Sequence, residues 1–213
     1  MRHHVGFLRL NREHRHNLLT PNYIRNIRRS LETLNIDEMV KVIYMTGGKG
    51  EHFSNGTDFR TLLHYKKEGA DAKIAKYLEE LYGLQVQASK INKPVIGVAP
   101  GHSFNSGAAF LQATAMPTVT LDSKLSFNEV SFGFTPHGGS SYYLSRLPGE
   151  IGTFLALTGL PITGIDAKEF GIADELVHYS AAFEEEVTDV LFAMDLPIPN
   201  ADLNGNKDRY NPW

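Results

Sequence analysis

The feature that most constrains this chain is an alternation of period. Short, evenly apolar runs that suit strands are followed by longer stretches in which apolar residues recur every three or four positions. Val5–Leu10, Val40–Met45 and Val95–Ala99 read as strands. Between the first two, Thr20 stands as an N-cap with Pro21 in the first turn, and Tyr23, Ile24, Ile27, Leu31 and Leu34 fall on one helical face. Asp71 opens a second amphipathic helix through Ile74, Tyr77, Leu78, Leu81, Leu84, Ala88 and Ile91, and Pro94 stops it. A small-residue helix starts at Gly107-Ala108-Ala109, and Thr118–Leu121 and Leu125–Phe127 read as strands. Helices around Tyr142–Arg146, Ile151–Thr158 and Ala167–Phe170 lead to a last strand at Leu176-Val177 and a helix over Phe183–Met194. Strands joined by helical crossovers pack as a mainly parallel sheet with both faces covered, an α/β fold. The pattern predicts one domain over residues 1–195 and an irregular tail, rich in Pro and Asn, over 196–213.

Composition narrows the chemistry. With 42% hydrophobic residues in 213, the chain has enough apolar surface for a real core. Cysteine is absent, which removes disulfides, thiolate nucleophiles and Cys-ligated zinc. No apolar run approaches the length of a membrane span. The net charge of −3 is uneven: residues 1–30 carry seven Arg against the single acid Glu13. Such a segment suits a solvated helix face, an anion contact or an organelle-targeting peptide. His3-His4 and His14-x-His16 lack a third ligand at metal-binding spacing, so no metal site is expected.

Three loops follow strands, where α/β sheets place their sites. The first is Phe53-Ser54-Asn55-Gly56-Thr57-Asp58, and the second is Gly101 to Gly107, running into a helix. Glycine-bearing loops of this kind aim backbone N–H groups at a developing oxyanion. The third runs from Phe127-Asn128-Glu129 to Gly133-Phe134-Thr135-Pro136-His137-Gly138-Gly139, and offers one carboxylate and one imidazole for acid–base work.

Taken in order, these loops resemble the crotonase superfamily, and within it the 3-hydroxyisobutyryl-CoA hydrolase branch. Leu10-Asn11-Arg12 with Asn17-Leu18-Leu19 is similar to the family's opening strand and turn; His52 to Asp58 and Gly101 to Gly107 are similar to its two oxyanion loops. Phe127-Asn128-Glu129 stands where the family has its catalytic glutamate, and the likeness runs from about Val5 to Val177. The resemblance implies a crotonase-like spiral of ββα units with a shortened C-terminal helical region. It further implies an oxyanion hole near Asn55 and Ser106, Glu129 as acid–base carboxylate, with His137 where the hydrolases present a second carboxylate, and Arg12 and Asp58 framing a groove for coenzyme A. No cofactor is implied beyond coenzyme A as part of a substrate.

The departures fall on the chemistry. The family's three-glycine run is Asn105-Ser106-Gly107 here, and the glycine after Gly56 is replaced by Thr57. Two functional classes follow. One is an acyl-CoA thioester hydrolase or hydratase using Glu129 and His137, free as a homo-oligomer. The other, which the altered loops favour, is a former enzyme kept as a structural subunit of a larger protein or ribonucleoprotein complex in the mitochondrial matrix, with the mitochondrial small ribosomal subunit the leading candidate. In the second class Arg25, Arg28 and Arg29 are candidates for RNA contact; a cytoplasmic location is the alternative to the matrix.

Overall fold

The computed structural model describes residues 4–48 and 52–178. The helix expected over residues 183–194 and the tail after it lie outside these.

Among the described residues nine strands form two sheets. The first holds β1 (Val5–Leu10), β2 (Val42–Gly47), β4 (Val95–Ala99), β6 (Met116–Thr120) and β9 (Glu175–Val177), in the order β1-β2-β4-β6-β9. All its pairings are parallel. Every residue of β2 and β4 is buried, as expected of parallel strands covered on both faces. The second sheet holds β3 (His52–Ser54), β5 (His102–Phe104), β7 (Lys124–Ser126) and β8 (Ile162–Thr163), parallel except where β8 joins β7.

Three times a strand of the large sheet turns into a short strand of the small one and then into helix: β2 to β3, β4 to β5, β6 to β7. This is the ββα spiral that the resemblance implied. The second-sheet strands are too short to carry a period, so β5 was hidden in what the sequence presents as the loop from Gly101 to Gly107.

Helix α1 (Pro21–Ile36) buries Ile24, Ile27 and Leu31 against α3 (Asp71–Lys90), which answers with Tyr77, Leu81, Leu84 and Ala88. Thr20 occupies the N-cap position, but its side chain does not cap the helix; its hydroxyl accepts from Arg12 Nη1 at 2.7 Å. A helix missed in the sequence, α2 (Phe59–Lys67), begins at Asp58, whose carboxylate accepts from the Thr61 N–H and hydroxyl. Helix α4 (Ser106–Gln112) is buried along its whole length between the sheets. A 3₁₀ turn over Asn128–Phe132 leads to α5 (Ser140–Leu144), α6 (Ile151–Thr158) and α7 (Gly164–Glu169).

Candidate active site

The site is set by the order of the small sheet. Because β3, β5 and β7 are neighbours running the same way, the loops leaving their C-terminal ends are neighbours too. Residues 54–58, 105–107 and 127–129 meet at one edge.

The first two loops approach so closely that only glycine fits where they touch. A Cβ on Gly56 would sit 2.1 Å from Asn105 Oδ1 and 2.5 Å from the Phe104 carbonyl. One on Gly107 would sit 2.2 Å from the Ser54 carbonyl. The first loop is also tied to residues 16–19: Asn55 N–H donates to the His16 carbonyl, Ser54 Oγ to the Asn17 carbonyl, and Leu19 N–H to the Gly56 carbonyl.

Two backbone donors converge across this contact. Thr57 N–H and Ser106 N–H both donate to one oxygen, Asn105 Oδ1, at 2.7 and 2.8 Å. Two N–H groups aimed at a single oxygen are the geometry of an oxyanion hole, and here the chain's own amide fills it. Asn105 holds the position with φ 43° and ψ −126°, a backbone conformation that favours glycine. Its Nδ2 donates to the Asn55 carbonyl at 2.8 Å, which locks the amide across both loops.

The sequence placed an oxyanion hole near Asn55 and Ser106; of these, the Ser106 N–H is one of the two converging donors, while the Asn55 N–H is bonded to the His16 carbonyl. The second donor belongs to Thr57. Thr57 precedes the N-cap Asp58, so its N–H lies outside the helical ladder and is free to point elsewhere.

Behind the hole runs a buried polar chain. Thr57 Oγ1 lies 2.8 Å from Ser106 Oγ and 2.9 Å from His137 Nε2. His137 Nδ1 lies 3.8 Å from Glu129 Oε1, which also takes a contact from Ser140 Oγ at 3.3 Å and a long one from the His137 N–H at 3.5 Å. Glu129 and Ser106 are completely shielded from solvent, Thr57 nearly so, and His137 is 8% exposed. Burial pushes the Glu129 carboxyl above its ordinary value, against the lowering effect of the bonds it accepts, and burial pushes the His137 imidazole down. Both shifts favour the uncharged forms.

The two residues expected to frame a groove both make contacts within the fold. Arg12 lies over the Tyr23 ring, 5.2 Å from its centroid, while donating to Thr20; Asp58 caps α2. Arg25 makes a two-bond pair with Glu80, and Arg28 bonds Gln87, so both stitch α1 to α3; Arg29 is exposed. A cleft of about 290 Å³ beside Thr20 is lined by Arg25, Lys73, Lys76, Tyr65 and Glu80 among others. Among the described residues no group of three His, Asp or Glu is placed to hold a metal ion.

Fold and loop geometry together define an α/β protein of the crotonase kind. The chain belongs to the enoyl-CoA hydratase/isomerase family, whose model matches residues 5–200. Its relatives include the small ribosomal subunit protein mS47 of Arabidopsis thaliana, 31% identical over 76% of this chain and 39% of that protein. They also include the mitochondrial 3-hydroxyisobutyryl-CoA hydrolase of Homo sapiens, 32% identical over 81% of this chain and 45% of the hydrolase. The chain therefore spans less than half the length of these relatives. Among solved structures, an enoyl-CoA hydratase from Polaromonas sp. JS666 superposes with a TM-score of 0.86 at 18% identity, covering 100% of this chain and 83% of the other. A carnitinyl-CoA dehydratase from Mycobacterium thermoresistibile does so at 0.81 and 28% identity, covering 98% and 64%.

Proposed function

We propose that this chain is a catalytically silent, hydrolase-like member of the family that serves as a structural subunit of a mitochondrial ribonucleoprotein, the small ribosomal subunit. The observation that carries the silent half is the Asn105 amide bonded to both oxyanion donors. A thioester carbonyl entering the site has to displace an intramolecular acceptor that is tethered in place and held by three hydrogen bonds. Each oxyanion donor lost to a substrate costs about 10²–10³ in rate, so two lost together leave little catalysis.

Similarity to mS47 supports the assembly half, and so does the surface. Val130, Phe132 and Phe134, with Phe154, Leu157 and Leu160 on and after α6, are all at least 40% exposed. Large apolar side chains grouped along neighbouring elements suit a protein interface. On the α1 side, Arg29 is the exposed member of the Arg25, Arg28 and Arg29 set, and it is the one we assign to RNA phosphate.

The test is sedimentation of the tagged, full-length protein from mitochondria, with the purified protein assayed on acyl-CoA thioesters. Co-migration with the small ribosomal subunit through a high-salt wash, and no turnover, is the expected result. A free homo-oligomer that hydrolyses acyl-CoA would overturn the proposal and return Glu129 to an acid–base role on a coenzyme A thioester.

A further inference from the structure

The polar chain behind the hole has more order than a silent site requires. Thr57 contributes both a backbone donor to the hole and a hydroxyl 2.9 Å from His137 Nε2. The far side of that imidazole faces the Glu129 carboxylate, with Nδ1 and Oε1 3.8 Å apart. Hydroxyl, imidazole and carboxylate in this order are the parts of a nucleophilic triad, and in such sites the nucleophile's own N–H commonly forms half of the oxyanion hole. Two atoms of this polar network, His137 Nδ1 and Glu129 Oε2, are buried without a hydrogen-bond partner. An orphaned buried polar atom calls for an explanation, and for His137 Nδ1 an unclosed bond to the Glu129 carboxylate supplies one. Catalytic bonds are often long until substrate draws them together.

We propose that Thr57, His137 and Glu129 form a dormant acyl-transfer site, with Thr57 Oγ1 as nucleophile and the Asn105 side chain occupying the place of the substrate's carbonyl oxygen. This goes beyond the structural-subunit reading and stands or falls without it. The substrate class is a short apolar acyl ester or thioester with a good leaving group. The rings around His137 fit that acyl group: Phe59, Phe134 and Tyr82 have centroids 6.1, 6.0 and 6.2 Å from the imidazole. Phe59 stacks in turn on the half-exposed Phe132, at 4.3 Å, so the wall of the site reaches the surface.

With Asn105 displaced, Thr57 Oγ1 attacks the acyl carbon and its proton passes to His137 Nε2. Thr57 N–H and Ser106 N–H hold the oxyanion. The bond to the leaving group then breaks, the leaving group takes the proton from His137, and the acyl group remains as an ester on Thr57. Water, deprotonated by the same imidazole, releases the carboxylic acid and restores the hydroxyl. Burial, which keeps His137 neutral to lower pH than an ordinary histidine, leaves it able to accept a proton throughout the neutral range.

The experiment uses p-nitrophenyl acetate on the full-length chain, with Asn105→Gly, Asn105→Gly/Thr57→Val and Asn105→Gly/His137→Ala. Glycine suits the backbone angles at 105 and removes the plug. Expected is acetylation of residue 57 in Asn105→Gly, read by peptide mass mapping, about 100-fold faster than in the unaltered protein. Asn105→Gly/Thr57→Val should show no adduct at residue 57, Asn105→Gly/His137→Ala should return to the unaltered level, and the pH profile should remain flat from neutral down to below about 6.5, the ordinary histidine value. A folded Asn105→Gly with no adduct, or with the adduct on another residue such as Ser106, overturns the proposal. If Asn105→Gly does not fold, prolonged treatment of the unaltered protein with a fluorophosphonate decides the matter. An adduct on Thr57 that is lost in His137→Ala supports the site, and no adduct on Thr57 overturns it.

Discussion

The loops that follow β3 and β5 lie side by side on the same plan, yet they treat a glycine-favouring conformation in opposite ways. At position 56, with φ +68°, the first loop keeps glycine, and a side chain there would strike the neighbouring backbone. At position 105, with φ 43°, the second loop accepts asparagine and uses its amide to join the two loops together. The first solution leaves two N–H groups pointing into a shared space; the second fills that space. A catalytic hole and a structural cross-link differ here by one side chain.

The largest expected effect comes from breaking the first solution. Gly56→Ala places a Cβ 2.1 Å from Asn105 Oδ1 and 2.6 Å from the Gly107 nitrogen, on a backbone that disfavours L side chains. Stability measured by urea unfolding should fall by about 4 kcal/mol or more, or the protein should fail to fold. A loss under about 1 kcal/mol would mean that the loops separate easily and that their contact does not define the site.

The second solution is sharpened by comparing two variants at one position. Asn105→Ala and Asn105→Gly both remove the amide, but only glycine relieves the backbone. Alanine should therefore be less stable than glycine by about 1–3 kcal/mol. Equal stabilities would show that position 105 is unstrained, and that the asparagine stands there for its hydrogen bonds alone.

The smallest effect concerns the buried Glu129 carboxylate. Burial raises the Glu129 pKa, so the folded protein binds that proton more tightly than the unfolded chain does. Its contribution favours folding below the ordinary glutamate value of 4.5 and is lost as pH rises through the folded value. Glu129→Gln removes this penalty and keeps an acceptor for Ser140 and the His137 N–H. Its stability relative to the unaltered protein should rise with pH above about 4.5 and be flat below. His137 acts in the opposite sense: its lowered pKa makes the protein lose stability as pH falls below 6.5. Melting temperatures of both proteins across pH 4–8 separate the two groups, and parallel curves would show that Glu129 is ionised without cost.

Much of the fold was legible because its signals are periodic and local. The strand at Val95–Ala99 and the helix from Asp71 show their burial directly in the spacing of apolar residues. Strands of two or three residues, such as β3, β5 and β8, repeat nothing and left no such trace. Helix α2 was signalled only by Asp58 standing three residues before Thr61, a cap easily passed over inside a loop. At the site, the loops, Glu129 and His137 could be singled out from residue type and order. Thr57 could not, because its importance lies in where its N–H points.

The sequence by itself determined that apolar runs and amphipathic faces alternate, that glycine is available at positions 56 and 107, and that one carboxylate and one imidazole follow the third loop. These are properties of a residue and its near neighbours. Only the tertiary structure decided that the Thr57 and Ser106 N–H groups share one acceptor, that the acceptor is Asn105, and that Thr57, His137 and Glu129 stand in line. The contacts of Thr57 with Asn105 and His137 join positions 48 and 80 residues apart, through the parallel pairing of β3, β5 and β7. Loop closure over such distances carries no local preference that a sequence could display, and it is the packing of the two sheets that offsets its entropy.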